Sequence, residues 1–314
     1  MLEISPGDLS ECRAILSRGS KSFSLAASFL GKNATDALSA LYAFCRISDD
    51  AIDESTAPAQ ALDSLLERVE EAFQGRPQPQ PADRALAWLF CAHSLPRAPI
   101  DALLEGYRWD VEERSYHTLS DTISYAVRVA GSVGVASSWL LGRREPELLA
   151  RACELGVAMQ LTNIARDVGE DARRGRIYLP LEWLEMDEDE KRAWLACPLP
   201  TTQVRRATLR LIEQAEELYE RAERGIPFLP WRARTGVRVA RHLYARIGAI
   251  VKKRGGDGVT KRAFTLPSEK ALCIVRALAE EIFSVFDLQN ASRQLRELPP
   301  LPEAAWLIQA CFRH

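Results

Sequence analysis

The chain lacks the marks of a secreted, membrane-spanning or nucleotide-binding protein. Its N-terminus, MLEISPGDLSEC, has no basic start followed by an apolar run, so no secretory leader is expected. The most apolar long stretch, Ala126 to Gly142, carries Arg128 and several serines and falls short of the ~20 apolar residues that a spanning helix needs. Seven cysteines, an odd number scattered without short paired spacings or companion histidines, argue against a disulfide framework or a zinc site and fit a reducing cytoplasm. No G-x-G-x-x-G follows a strand pattern and no G-x-x-x-x-G-K-[ST] occurs, which leaves no dinucleotide or P-loop site and predicts turnover without NADPH. Alternating runs rich in Val, Ile and Thr are scarce, and no repeat of fixed period is visible.

What is present is a globular composition: 314 residues, 47% hydrophobic and 27% charged, enough to bury a sizeable core. The formal net charge of -2 hides a basic segment, because residues 230–262 hold ten Lys or Arg against one acid, Asp257, a local charge of +9. Such a segment suits a diphosphate or the anionic headgroups of a membrane surface; few aromatics interleave it to stack bases, so nucleic acid is not expected. Apolar residues recur at helical spacing almost throughout, which predicts an all-α chain with helices over 7–18, 20–31, 36–54, 58–74, 82–94, 98–114, 120–141, 145–171, 201–225, 230–254 and 267–290. The proline-rich stretch Gln74 to Pro81 reads as a surface loop between two helices of one domain spanning 1–314, and Gly255–Gly258 as a second break.

Two helices carry the chemistry. In the 36–54 helix, Tyr42, Arg46, Asp49 and Asp53 follow i, i+4, i+7, i+11 and share one narrow stripe. Like charges at i,i+4 cost a helix about 0.2–0.5 kcal/mol each unless cations compensate, so an isolated D-x-x-x-D reads as a solvated acidic face. The pattern recurs, however, in the 145–171 helix, where Gln160, Asn163, Asp167 and Asp171 follow i, i+3, i+7, i+11, with Met159, Leu161, Ile164 and Val168 on the other faces. Carboxylates on a helix that is apolar around most of its girth need partners. Paired carboxylates on facing helices are hard oxygen ligands suited to magnesium or manganese, which also takes phosphate oxygens and water. Two such pairs suggest two metal-diphosphate groups. Lys21, Arg46, Arg166, Arg174, Arg176 and Arg262 are candidate phosphate partners. The small residues of Gly131–Gly134 fit either the close approach of a ligand or plain helix packing.

With these residues in hand, the segments LYAFCRISDDAIDE (41–54), YAVRVAGSVG (125–134) and QLTNIARDVGEDARRGRIYLP (160–180) resemble the signature segments of bacterial phytoene and squalene synthases. GSKSF (19–23), LYARIG (243–248) and TKRAF (260–264) extend the likeness over nearly the whole chain in the family's order. The resemblance implies an isoprenoid synthase-type helical fold around a central cavity, with the two acidic helices on opposing walls. It implies Asp49, Asp53, Asn163, Asp167 and Asp171 as metal ligands, with Arg46, Gln160, Arg166, Tyr244 and Arg262 supporting the diphosphates. Lys21, Ser22, Phe23, Val129 and Tyr178 would contact substrate, and Phe23, Tyr42 and Tyr125 would line the reacting centre. The implied activity is a prenyltransferase reaction, the head-to-head condensation of two geranylgeranyl diphosphates to phytoene through prephytoene diphosphate, the first step of carotenoid synthesis. Relatives often read Tyr-Cys-Tyr where this chain has Tyr125-Ala126-Val127, which puts any role of a second tyrosine in doubt.

Two rival readings remain. A relative acting on farnesyl diphosphate would give squalene, dehydrosqualene or presqualene diphosphate, and a non-catalytic relative would have lost an acidic pair, whereas both pairs are intact here. Chain length bears on the first rival. One helical turn from Phe23 lies Ala27, and one turn from Tyr42 lies Ser39; small residues there leave room for an extra isoprene unit or merely let helices pack closely.

Overall fold

Prolines mark where helices begin. In the computed structural model, which describes residues 3–283, 292 and 295–313, Pro6, Pro58, Pro81, Pro146 and Pro267 each open a helix, where a missing N–H has no partner to lose and φ is already helical. The order is α1 (Pro6–Gly19), α2 (Lys21–Ala27), α3 (Lys32–Asp53), α4 (Pro58–Phe73), α5 (Pro81–His93) and α6 (Ala98–Val111), then α7 (Leu119–Ala126), a π-helical turn (Val127–Gly131) and α8 (Ser132–Leu140). There follow α9 (Pro146–Arg173), α10 (Glu188–Ala196), α11 (Thr202–Glu223), α12 (Trp231–Lys253), α13 (Pro267–Phe283) and α14 (Ala305–Ala310). Among the described residues there is no strand.

The expected elements differ from these in a few places, each with a local cause. The 120–141 helix is one rod with an extra residue wound into it at Val127–Gly131, a device that re-aims side chains at functional sites. The 20–31 helix stops at Ala27 and turns. α10 escapes the periodicity argument because it is short and charged; an Asp187/Glu190 capping box starts it instead. The 284–290 part of the last expected helix lies outside the described residues. The Gln74–Pro81 loop joins two packed helices, clamped by Arg68, whose guanidinium donates to both oxygens of buried Asp83 at 2.9 and 2.7 Å. The seven cysteines are free.

α9 is the central beam, with 17 of its 28 residues buried. It packs against α8, α11, α12 and the π-helical turn, and a second apolar cluster gathers α1 and α3 to α6. The approach of α8 to α9 requires glycine. A Cβ on Gly134 would lie 2.2 Å from the Ala152 carbonyl oxygen, and one on Gly156 2.2 Å from that of Ala130. Of the two readings of Gly131–Gly134, backbone-to-backbone packing accounts for the sequence here, although Gly134 and Gly156 also face a cavity. A second glycine contact docks the 255–262 loop on α9: Gly169 N–H donates to the Gly258 carbonyl at 3.1 Å, and a Cβ on Gly169 would lie 2.3 Å from Val259 O.

The basic segment is largely compensated within the fold. Arg234 and Arg238 pair with Glu281, Arg238 and Arg241 with Glu223, Arg246 with Glu269, Lys252 with Glu216 and Arg262 with Asp167. Much of the +9 is therefore neutralised by acids of α11, α13 and α9. No helix among the described residues is long and apolar enough to cross a membrane.

Gly156→Ala tests the packing of the π-helical turn on α9. At an exposed mid-helix site this change stabilises by up to about 1 kcal/mol; here it is expected to destabilise by about 2 kcal/mol or more, because a backbone carbonyl cannot move aside. A thermal midpoint several degrees below the parent checks it.

Candidate active site

The cavity beside α9 has about 490 Å³ of free volume and two characters. One end is chemical. α3 contributes Tyr42, Arg46 and Asp49, α9 contributes Gln160 and Asn163, and Phe23 of α2 and Tyr244 of α12 close over them. The rings form a cluster, with Phe23 centred 6.1 Å from Tyr42 edge-on and 5.5 Å from Tyr244. The rest is apolar, walled by residues such as Leu16, Ala26, Ala27, Leu41, Val133 and Leu155. Val129 enters this wall from the π-helical turn.

The carboxylates divide into two kinds. Asp53 is held by cations from just beyond α9, with Arg176 Nη1 at 3.0 Å and Arg174 Nη1 at 3.5 Å, so the two acidic helices are tied at their ends. Asp167 accepts from Arg166 Nε at 2.8 Å and from Arg262 Nε at 2.8 Å, the latter delivered by the glycine-docked loop. Asp49 and Asp171, by contrast, form no ion pair among the described residues. Asp49 presents surface to the cavity mouth, but protein surrounds it on most sides. That desolvation, with Asp53 nearby, pushes its carboxyl up to about 6. Burial, then Asp167 and Glu170, pushes Asp171 up to about 7.

This arrangement fits a divalent cation. Among the described residues no three His, Cys, Asp or Glu converge into a complete cage. Each helix instead offers two carboxylates a turn apart, one of them lacking a cationic partner, which leaves coordination positions for phosphate oxygens and water, as magnesium prefers. The buried Oδ1 of Asn163 has no hydrogen-bond partner, while its Nδ2 donates to Gln160 Oε1 at 3.3 Å. An orphaned buried oxygen beside acids short of positive charge is what a bound cation would satisfy.

Not every expected residue lies where the sequence reading put it. Ser39 is fully buried and does not line the cavity; Leu38 and Leu41 do, because the inward stripe of α3 passes through Leu38, four residues before Tyr42, and not through Ser39, three before it. Tyr178 does not line it either. It stands behind Tyr125, rings stacked at 4.8 Å, and its hydroxyl donates to Asp110. Asp53, Arg166, Asp167, Asp171 and Arg262 are not in the cavity wall; Asp167 pairs with Arg166 and Arg262, and Asp53 with Arg174 and Arg176. Exposed Lys21 and half-buried Ser22 sit on the first turn of α2, outside the wall. Arg46 bonds Asp50 at 2.9 Å rather than its stripe-mate Asp49. Val127, in the position of the expected second tyrosine, is fully buried and away from the cavity. The sequence reading missed Asp110 of α6, which lines the cavity and accepts from Tyr125 Oη at 2.8 Å and Tyr178 Oη at 2.7 Å.

The raised carboxyls give a pH-dependent cation response. Asp49 and Asp171 keep their protons to higher pH in the folded chain than in the unfolded one, where carboxyls titrate near 4. Folding therefore takes up protons between about pH 4 and 7, and cation-free stability falls as pH rises through that window. Mg²⁺ is expected to raise the melting temperature clearly at pH 8 and little at pH 5, where these groups are protonated. Asp171→Asn is expected to stabilise the cation-free chain at pH 8 and to shrink the Mg²⁺ response. Equal Mg²⁺ shifts at both pH values would remove Asp49 and Asp171 from the cation site.

Comparison with known proteins identifies the chain's relatives. The sequence profile of the family described as squalene/phytoene synthase matches residues 16–270. A phytoene synthase of Rhodobacter capsulatus is 43% identical over 98% of this chain and 91% of its own length, and one of Cereibacter sphaeroides 42% identical over 99% and 89%. Among solved structures, a dehydrosqualene synthase in complex with a ligand superposes with a TM-score of 0.78 at 32% identity, covering 87% of this chain and 96% of that one. A squalene synthase from Alicyclobacillus acidocaldarius superposes at 0.70 with 28% identity, covering 79% and 94%. Profile match, full-length relatives and an all-helical superposition together show that the chain belongs to the squalene/phytoene synthase family.

Proposed function

We propose that this chain, acting as a single domain, is a phytoene synthase that condenses two geranylgeranyl diphosphates head to head. The observation that carries the reading is the pairing of two carboxylate stripes with one apolar, aromatic-topped cavity. A substrate with a highly charged head and a long hydrocarbon tail fits a cavity that is charged at one end and apolar along the rest. The relatives called phytoene synthase, at 42–43% identity over nearly the full chain, favour this member of the family over its squalene-forming relatives.

Asp49, Asp53, Asn163, Asp167 and Asp171 would hold Mg²⁺ or Mn²⁺, which when bound neutralises diphosphate charge and assists its departure from the allylic carbon. Arg166, Arg174, Arg176 and Arg262, now bonded to Asp53 and Asp167, are placed to turn toward phosphate oxygens as those carboxylates turn toward the cation. Phe23, Tyr42 and Tyr244 offer ring faces to the allylic cation, each worth about 0.5–2 kcal/mol. The apolar walls keep water from quenching it. Loss of one diphosphate and one proton closes a cyclopropane ring joining the two chains; loss of the second diphosphate, ring opening and a second proton loss give the hydrocarbon. No hydride enters this sequence, so no NADPH is consumed. Peripheral contact with a membrane would give an insoluble product somewhere to go, and the unpaired part of the 230–262 segment is its candidate surface.

Incubation with geranylgeranyl diphosphate and Mg²⁺ is expected to yield phytoene, in amounts unchanged by NADPH. Asp167→Asn is expected to lower the rate about 100-fold or more while the chain remains folded. Preference for farnesyl diphosphate, or a reduced product on adding NADPH, would move the chain to the squalene-forming class.

Substrate length offers a separate test at Ala27, which lines the apolar wall beside Ala26. Ala27→Phe fills that space and is expected to shift kcat/KM toward farnesyl diphosphate by about 10-fold, the scale of one or two methylenes in an apolar pocket. An unchanged preference in a folded variant would place the length limit elsewhere.

A further inference from the structure

The face of α9 that lines the cavity is one continuous stripe, running from Asn163 at the charged end through Met159, Leu155 and Ala152 to Arg151. At about 1.5 Å per residue, the step from Asn163 to Arg151 is about 18 Å along the helix axis, close to the reach of an extended geranylgeranyl tail. A guanidinium is an unexpected group to meet at the hydrocarbon end of such a cavity. Arg151 is 2% exposed and donates through Nη2 alone, to Glu154 Oε1 at 2.7 Å and to the Pro299 carbonyl at 3.0 Å; among the described residues its Nε and Nη1 are buried without a partner. It cannot swing away. Glu154 is gripped from α11 by Arg221 at 2.6 Å, and the Arg151 stem presses on Gly225, where a Cβ would lie 2.7 Å from Arg151 Cβ. Burial outweighs Glu154 and lowers the Arg151 pKa below the ordinary arginine value, as befits a charge short of solvation.

We infer that Arg151 is a specificity-determining residue, a polar stop that limits the prenyl tail lying along α9 to four isoprene units. This rests on the geranylgeranyl diphosphate reading proposed above. Leu148, one turn further along α9, also lines the cavity, so the wall continues past Arg151 and what stops a tail there is chemistry rather than a closed end. A four-unit tail ends beside the guanidinium and leaves Nε and Nη1 to water. A fifth unit would cover them with methyl groups that accept no hydrogen bond, and a buried charged donor left without a partner is costly. The selection complements that at Ala27: a small side chain there admits the tail by leaving room, and a polar one here refuses its extension. The same N–H groups would accept an oxygen, so a tail carrying a hydroxyl at its far end meets donors where an apolar pocket would offer none.

The test measures binding in the presence of Mg²⁺ of non-ionising thiolodiphosphate analogues with tails of four and five isoprene units, and of a four-unit analogue hydroxylated at its far end, to the parent and to Arg151→Met. Methionine keeps an unbranched apolar side chain, and Glu154 keeps Arg221 as its partner. The parent is expected to bind the five-unit tail about 10-fold or more weakly than the four-unit tail, and Arg151→Met to close most of that gap. The hydroxylated tail is expected to bind the parent at least as tightly as the plain one and to lose about 10-fold in Arg151→Met. Equal binding of the two plain tails by the parent, or an unchanged ratio between them in a folded Arg151→Met, would overturn the inference; a purely structural Arg151 gives the second result, weakening all tails alike. Should Arg151→Met fail to fold, the parent decides alone, since weaker binding of the hydroxylated tail than of the plain one would mean that no free donor meets it. Binding is read without turnover, so a parent that forms its product from farnesyl diphosphate would sink the reading above while the same ratios still decide the role of Arg151.

Discussion

The structure turns on a concentration of negative charge that the protein alone does not neutralise. Two pairs of carboxylates are held around one end of a cavity by helices whose other faces are locked into the core, so they cannot separate to relieve repulsion. Four arginines answer two of the four acids, Asp53 and Asp167. Asp49 and Asp171 are left to hold their protons to unusually high pH. A site that is short of positive charge in this way binds cations because binding removes a cost already present in the fold. Three of the four, Arg174, Arg176 and Arg262, stand at a helix end or in loops, from which long side chains can stabilise the acids in one state and phosphate in another.

Holding α9 in place is therefore the first demand on the sequence, and glycine meets it. The packing of α8 and the π-helical turn on α9 tolerates no Cβ at Gly134 or Gly156, and the docking of the 255–262 loop tolerates none at Gly169 or Gly258. The first contact sets one wall of the cavity; the second brings Arg262 to Asp167. Gly255 and Gly256, at φ +66° and +77°, end α12 in the left-handed region and turn the chain toward that docking. Packing and chemistry are thus the same constraint seen at two distances.

The fold was legible because its signals are local. Periodicity of 3.6, prolines at helix starts and glycines at breaks all lie within a turn or two of the element they specify. The stripes on α3 and α9 were legible for the same reason, since a helix converts spacing directly into a face. What the sequence concealed is long-range. Asp110 is a lone acid on α6 with no patterned partner, and its tyrosines come from 15 and 68 residues away. The basic segment carries a local +9 in the sequence because Glu216, Glu223, Glu269 and Glu281, which answer much of it, sit on other helices. Ser39 was misplaced by a smaller ambiguity: one turn back from Tyr42 is three or four residues, and a 100° step separates the two choices.

Charge at one end and dryness along the rest are usually in conflict, since charged groups draw water with them. Here the two are kept apart by rings. Phe23, Tyr42 and Tyr244 lie between the charged end and the apolar walls, polar enough at their edges and hydroxyls to face the first and apolar enough on their faces to seal the second. Their faces also carry the negative potential that a delocalised carbocation prefers to water. The protein needs no fixed anion next to the reacting carbons, where one would capture the cation covalently. Its carboxylates act from the diphosphate end, and the carboxylate of Asp110, which also reaches the cavity, is engaged by hydrogen bonds from the hydroxyls of Tyr125 and Tyr178.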